Sequence, residues 1–371
     1  MTDDAPLKVL VVDDAIFYRS VVGEVLSLLP GVQLVGTAPN GKIAVHRIGT
    51  LHPDLLTLDI EMPEMNGLEV LEWIRQNAPD VGAIVLSSFT KKGGEMTVKA
   101  LNLGAFDFIQ KTEAGTLEGS KKALKDALGP MLRAYARRRE VRDILKGKSG
   151  ATKSASDNDH LRESAGRVQR LGAPPPGRAA VVGIGVSTGG PEALSVVLPA
   201  IPADINAPIL VVQHMPAAFT QSIASSLDAK CAIEVRAARD GEPLPPGVAL
   251  FAPGGKQMKV DRTADGKSMV VRVTDDHPEN NCKPSADYLF RSLAHHYGNR
   301  AAGVIMTGMG SDGTLGLKLM KRNGATVIAQ NEETCTVFGM PKEPIESGIV
   351  DAIAPLNRIA EEIRRAVKGQ K

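Results

Sequence analysis

The chain has 371 residues, room for two or three domains, with 43% hydrophobic and 23% charged residues, as expected of an ordinary soluble globular protein. Its net charge of +2 falls short of the basic excess of a dedicated nucleic-acid binder. The opening MTDDAPLK is acidic and has neither the basic nor the apolar region of a signal peptide. No apolar run reaches bilayer-spanning length, so no membrane insertion and a cytoplasmic location are expected.

From residue 8 to about 128, short runs rich in Val, Ile, Leu or Phe alternate with amphipathic stretches. KVLVV, VQLVGTA, DLLTLD, GAIVLSS and FDFI read as buried strands. Between them, Phe17, Val21, Val25 and Leu28, then Leu68, Leu71 and Ile74, recur at helical spacing. This alternation predicts a parallel, doubly wound α/β sheet. MLRAYARRREVRDILKGK predicts a charged helix running outward, and SGATKSASDNDHLRESAGRVQRLGAPPPGR, with its three consecutive prolines, a linker. From residue 179 the alternation resumes with AAVVGIG, APILVVQ, GVALFAP, AAGVIMTG and ATVIAQ, which predict a second, mainly parallel α/β domain. Within it KQMKVDRTADGKSMVVRV, two alternating runs around Asp265-Gly266, predicts an antiparallel β-hairpin. The expected division is a first domain over 1–128, a helical extension and flexible linker over 129–178, and a second domain over 179–371.

Asp13 and Asp14 close the first predicted strand, Asp59 the third and Ser87 the fourth, and Lys111 follows the fifth. In a doubly wound parallel sheet the carboxyl ends of the strands share one edge, and ligands bind there. That places Asp14 opposite Asp59, with Asp13 close by. Clustered carboxylates repel one another unless a hard cation sits among them, and Mg²⁺ suits an oxygen-only site. A phosphoryl group brought there could be attacked by Asp59, contacted by the Ser87 hydroxyl and paired with Lys111. Each residue alone has a plainer role, a strand-end Asp as turn former or Lys111 as a solvated charge. The joint spacing carries the reading.

In the second domain, GIGVSTGG poses a choice. Its GxGxxxG spacing is a loose dinucleotide fingerprint, but the next strand ends in Gln213 and His214, with no carboxylate to hold a ribose. Gly185 to Gly189 is also a GxSxG between a predicted strand and the predicted helix PEALSVVLPAI, the setting of a nucleophile elbow. A serine hydroxyl needs a base, and His214 ends the neighbouring strand. The base needs an orienting carboxylate, and Asp312 lies in the glycine-rich exit loop of GVIMTGMGSDG. The backbone N–H groups of Thr188 and of residues near Met309 could form an oxyanion hole. Asp312 also fits as N-cap of the helix GTLGLKLMKRNG. His295 and His296 read as surface or packing residues of a helix. Asp275, Asp276 and His277 in TDDHPENN read as a polar loop rather than a metal site. Cys231, Cys282 and Cys335 form no CxxC pair and read as buried free thiols.

Residues 8–128 resemble response-regulator receiver domains, which have a flavodoxin-like fold, in VVDD, LDIEMPEMNG, VLSS and FIQK, in that order. The resemblance implies that Asp59 accepts phosphate from a histidine kinase. It also implies that Asp13, Asp14, Asp59 and the backbone of Glu61 hold Mg²⁺. Thr112 stands where that family usually has proline after the lysine.

Residues of about 180 to 367 resemble chemotaxis protein-glutamate methylesterases in GVSTGGPEAL, VVQHMPAAFTQSIASSL, LFAPGGKQM, KPSADYLFRSLA, IMTGMGSDG and AQNEETCTVFGMPKEPIESG. The order Ser, His, Asp is theirs, not that of α/β-hydrolases. Val186 replaces their usual alanine. This resemblance implies that Ser187 attacks the methyl ester of a glutamate on a chemoreceptor, that His214 takes and returns the proton, and that Asp312 orients His214. It implies deamidation of receptor glutamines by the same chemistry, no cofactor for the hydrolysis, and a receiver that covers Ser187 until phosphorylated. No helix-turn-helix pattern or basic recognition helix points to DNA.

Overall fold

The structure, a computed structural model, describes residues 5–88, 90–111, 116–148, 168–170 and 178–369. Thr112 and most of the predicted linker lie outside them. The chain divides into two compact units, Met1–Leu145 and Lys146–Lys371.

The first unit is a five-stranded sheet of β1 (Leu7–Val12), β2 (Val32–Ala38), β3 (Leu55–Asp59), β4 (Gly82–Ser87) and β5 (Asp107–Gln110), in the order β2-β1-β3-β4-β5. Every pairing is parallel. β3 is buried throughout, as a strand covered on both faces must be. The helices α1 (Ile16–Ser27), α2 (Gly41–Leu51), α3 (Gly67–Asn77), α4 (Lys91–Asn102) and α5 (Leu117–Lys148) alternate with the strands. This is the flavodoxin-like architecture expected. The expected α1 stripe is only half right: Val21 and Val25 are buried with Val22 and Leu26, but Phe17 and Leu28 are 60% and 64% exposed. Phe17 lies in the first turn and Leu28 is the C-cap, so both overhang the part of the helix that meets the sheet. α5 runs unbroken through residue 128 to Lys148.

The second unit holds an eight-stranded sheet. Its strands are β6 (Gln169–Arg170), β7 (Val181–Val186), β8 (Ile209–Gln213), β9 (Glu234–Ala237), β10 (Val248–Phe251), β13 (Ala301–Ile305), β14 (Thr326–Gln330) and β15 (Ala352–Ala354), in the order β6-β15-β14-β13-β7-β8-β10-β9. All pairs are parallel except β6 on β15. β11 (Gln257–Arg262) and β12 (Met269–Thr274) form the expected antiparallel hairpin. Its last paired residues are Arg262 and Met269, so residues 263–268 close it as a longer loop than a two-residue Asp-Gly turn. Sequence reading missed β6, β9 and β15, which are only two to four residues long and lie at or near the sheet edges.

The helices of this unit are α6 (Gly190–Val197), α7 (Ala217–Asp228), α8 (Ala286–Tyr297), α9 (Thr314–Arg322), α10 (Lys342–Glu346) and α11 (Ile359–Lys368). α8 presses closely on β7, and the glycines of GIGVSTGG explain how. A Cβ at Gly183 would lie 2.6 Å from Leu293, and one at Gly185 2.9 Å from Ala286. The GxG spacing therefore seats a helix. Among the described residues, no helix is long and apolar enough to cross a membrane.

Candidate active site and phosphoacceptor cluster

Ser187 is the first residue beyond β7, on the shared carboxyl edge of the sheet. Its N–H donates to Thr307 O at 3.0 Å, and its carbonyl accepts from Gly190 N at 2.7 Å. The reversal into α6 needs Gly189, which sits at φ 74° and whose Cβ would strike Thr336 at 2.3 Å. His214 follows β8, the next strand, and its N–H donates to Val186 O at 3.1 Å. Nucleophile and base candidates are thus set side by side by strand register. Gln213 locks the pair: its buried Nε2 donates to Ser187 O at 3.0 Å and to His214 O at 3.1 Å.

Asp312 is buried, and its Oδ2 lies 2.8 Å from His214 Nε2. Asp312 does not cap α9 as its sequence position suggested; Gly313 occupies the N-cap of that helix. It instead receives Ala286 N at 2.6 Å and Asp287 N at 3.2 Å from the start of α8, and the Ser285 hydroxyl at 2.7 Å. Burial raises a carboxyl, but the His214 ring and these donors outweigh it and hold Asp312 below the usual range. An ionised carboxylate only accepts, so Nε2 carries a proton in either charge state, and Nδ1 is the nitrogen that gains or loses one. Burial works against a charged His214, yet Asp312 and Cys282 prevail and push it up to about 9. Among the described residues no hydrogen bond joins Ser187 Oγ to His214.

Thr188 is buried, and its carbonyl accepts from the Thr307 hydroxyl at 2.9 Å. Met309 is 42% exposed and follows Gly308, whose carbonyl anchors the loop by accepting from Met340 N at 2.8 Å. No acceptor among the described residues takes the Thr188 or Met309 N–H, which leaves both amides available to a ligand oxygen.

Four neighbours of this site, Asn280, Cys282, Ser285 and Asp287, were not read from the sequence as parts of it. Asn280 Nδ2 donates to Asp287 Oδ2 at 2.8 Å and reaches toward Asp312 Oδ1 at 3.5 Å. Asp287 is buried, and desolvation together with the nearby Asp312 raises its carboxyl to about 6. Cys282 Sγ lies 3.9 Å from His214 Nδ1. Ser285 before an apolar periodic run was the one available signal, an N-cap whose hydroxyl receives Tyr288 N. All three cysteines are free, as expected, but half-buried rather than buried. In TDDHPENN, Asp275 pairs with Lys256 and Lys283, and Asp276 with the Tyr288 hydroxyl. His295 and His296 end α8 with their rings edge to face, and His296 Nε2 lies 3.7 Å from Asp261 Oδ1.

In the first unit, carboxylate oxygens of Asp13, Asp14 and Asp59 all lie within 4.8 Å of one another. Lys111 Nζ bridges Asp13 Oδ2 and Asp59 Oδ2, each at 2.7 Å, and lies 4.8 Å over the Tyr18 ring. Burial raises the Asp59 carboxyl, with Asp13 adding to it and Lys111 opposing. Burial would lower the Lys111 ammonium, but Asp59 and Asp13 hold it above its ordinary value. Glu61 N approaches Asp59 Oδ1 at 3.4 Å. Ser87 Oγ turns to α4, accepting from Thr97 Oγ1 at 2.6 Å and facing Gly93 O at 3.3 Å. The all-oxygen donor set of one exposed and two buried carboxylates fits a hard divalent cation.

Residues 182–363 match the CheB methylesterase family and residues 9–118 the response regulator receiver domain family. A protein-glutamate methylesterase/protein-glutamine glutaminase of Desulfotalea psychrophila is 47% identical, over 98% of this chain and 99% of that protein. One of the same name from Halalkalibacterium halodurans is 40% identical, over 98% and 99%. The crystal structure of the Thermotoga maritima CheB methylesterase catalytic domain is 40% identical and covers 50% of this chain and 98% of that one, with a TM-score of 0.49.

Proposed function

The chain belongs to the protein-glutamate methylesterase/protein-glutamine glutaminase family, and from that footing we propose that Ser187, His214 and Asp312 hydrolyse glutamate methyl esters of a chemoreceptor under control of phosphorylation at Asp59. The observation that carries the hydrolytic half is the 2.8 Å bond from His214 Nε2 to Asp312, with Ser187 anchored one strand away.

Ser187 Oγ adds to the ester carbonyl carbon while His214 Nδ1 takes its proton. Charge gathering on the carbonyl oxygen is met by the N–H groups of Thr188 and Met309. Nδ1–H then protonates the leaving methoxy oxygen, the C–O bond breaks and methanol departs. Water attacks the acyl-enzyme, giving its proton to Nδ1. The glutamate carboxylate leaves, and Ser187 Oγ recovers its proton. With a glutamine substrate ammonia leaves instead of methanol. In the familiar serine-protease triad Nδ1 faces the carboxylate and Nε2 the serine; here the two nitrogens exchange duties.

In the receiver, an Asp59 carboxylate oxygen accepts a phosphoryl group from a partner histidine kinase, and Lys111 pairs with it. Ser87 reaches the phosphoryl by giving up its bond from Thr97. Asp13, Asp14, Asp59 and the backbone of Glu61 would hold Mg²⁺, which when bound offsets the phosphoryl charge.

The test is methanol release from methylated receptor, with and without acetyl phosphate and Mg²⁺. Ser187→Ala should lower turnover by on the order of 10⁴–10⁶. Asp59→Asn should keep basal turnover and lose the stimulation. Near-wild-type turnover in folded Ser187→Ala protein refutes the nucleophile, and equal stimulation of Asp59→Asn refutes the phosphoacceptor.

A further inference from the structure

We propose that Cys282 Sγ and His214 Nδ1 form a binding site for a soft divalent cation of the Zn²⁺ or Cd²⁺ class, whose occupancy takes the base nitrogen away from Ser187. The inhibitory half rests on the role given to Nδ1 above.

Two donors on a tetrahedral zinc, at about 2.3 Å for sulfur and about 2.0 Å for nitrogen, stand about 3.6 Å apart. Sγ and Nδ1 are 3.9 Å apart, so a few tenths of an ångström of side-chain movement closes the bite. The second observation concerns the far side of the ring. Metal-bound histidines regularly donate their other N–H to a carboxylate, which fixes the tautomer and strengthens the ligand. Asp312 does this at 2.8 Å and is itself held by Ser285, Ala286 and Asp287. Nδ1 is thereby left facing the thiol, and it offers its lone pair there once it gives up its proton. Third, neither residue is fully buried: the His214 side chain keeps 17% of its surface and Cys282 is half-buried, which leaves an ion a route to them.

The donor type sets the selectivity. The described residues contain two clusters of metal-ligating side chains. The receiver cluster is all oxygen and suits a hard ion, whereas this one sets sulfur and imidazole nitrogen, which suit soft ions, beside the Asp312 carboxylate. On binding, the Cys282 thiol proton and the proton on His214 Nδ1 pass to the buffer, the thiolate and Nδ1 each donate a pair, and water completes the shell. No electron is transferred.

The experiment is a Cd²⁺ titration of the full chain in excess Mg²⁺, which keeps the carboxylate cluster filled. It follows the ultraviolet sulfur-to-cadmium charge-transfer band and, in parallel, methanol release. One equivalent should saturate the band, and inhibition should share its midpoint. Cys282→Ser should abolish the band and the Cd²⁺ sensitivity, and His214→Ala should weaken binding roughly tenfold or more, with circular dichroism reporting the fold of each. A band that persists in Cys282→Ser, or equal Cd²⁺ inhibition of that variant, overturns the site. A Cys282-dependent band with no inhibition upholds the site and removes Nδ1 as the base.

Discussion

Asp312 and Asp287 cap each other's helices. Asp312 stands just before α9 but accepts the first amides of α8, while Asp287, in the first turn of α8, accepts Gly316 N of α9 at 2.6 Å. The exchange binds the two helix starts together and brings two buried carboxylates into one place, with the Asn280 amide reaching both. Asp312 keeps its charge because His214 and several N–H groups surround it, and Asp287 carries the strain as a raised affinity for a proton.

That raised affinity has a signature in stability. Asp287 moves from an ordinary 3.8 to about 6 on folding, so the native state binds more protons than the unfolded chain between those values. Stability is then highest below about 4 and is lost as pH rises to about 6, by on the order of 2–3 kcal/mol. Calorimetry should show the melting temperature of the second unit falling across this interval, and the fall should flatten in Asp287→Asn. An identical slope in the variant refutes the assignment.

Gln213 holds the carbonyls of both Ser187 and His214 without touching substrate. Gln213→Leu leaves the His214 carbonyl without its described donor, at a cost of about 1–3 kcal/mol, and leaves the Ser187 carbonyl with Gly190 N alone. The expected kinetic result is a fall in kcat with KM little changed, and Gln213→Glu, whose ionised carboxylate cannot donate, should behave alike. Unchanged kcat in both variants would reduce Gln213 to filler.

In the proposed mechanism His214 must be neutral to accept the Ser187 proton, and its own proton is held until about pH 9. The free-enzyme profile of kcat/KM should therefore climb through neutral pH and level off near 9. Cys282 is one of the groups holding that proton on, after Asp312. In Cys282→Ala the rising limb should move to lower pH. A limb that stays in place shows that the thiol has no hold on the imidazole.

Most strands of the two sheets, the strand-end positions of Asp13, Asp59, Lys111, Ser187 and His214, and the hairpin could be read from apolar runs and strand ends, since these report burial and edge position directly. Loop chemistry could not. Cys282 and Asn280 lie in a polar connection with no periodicity, and only the folded path of that connection brings them to His214 and Asp312. Asp312 was legible as a carboxylate at a strand exit, but the helix it caps is distant in sequence, so proximity along the chain pointed to the wrong partner. Gln213 was noticed for what it lacked, a carboxylate for a ribose, while its donors serve the two residues beside it.

The glycine seat under α8 ties the interior to the imidazole. α8 rests on Gly183 and Gly185 through Leu293, Phe290 and Ala286, and the same helix start presents Ala286 N to Asp312. A methyl group added at either glycine would lift the helix, and the lift would arrive at His214 as a misplaced carboxylate. In a survey of variants scored on turnover alone, interior substitutions along β7 would thus be indistinguishable from damage to the triad, although none of them touches it.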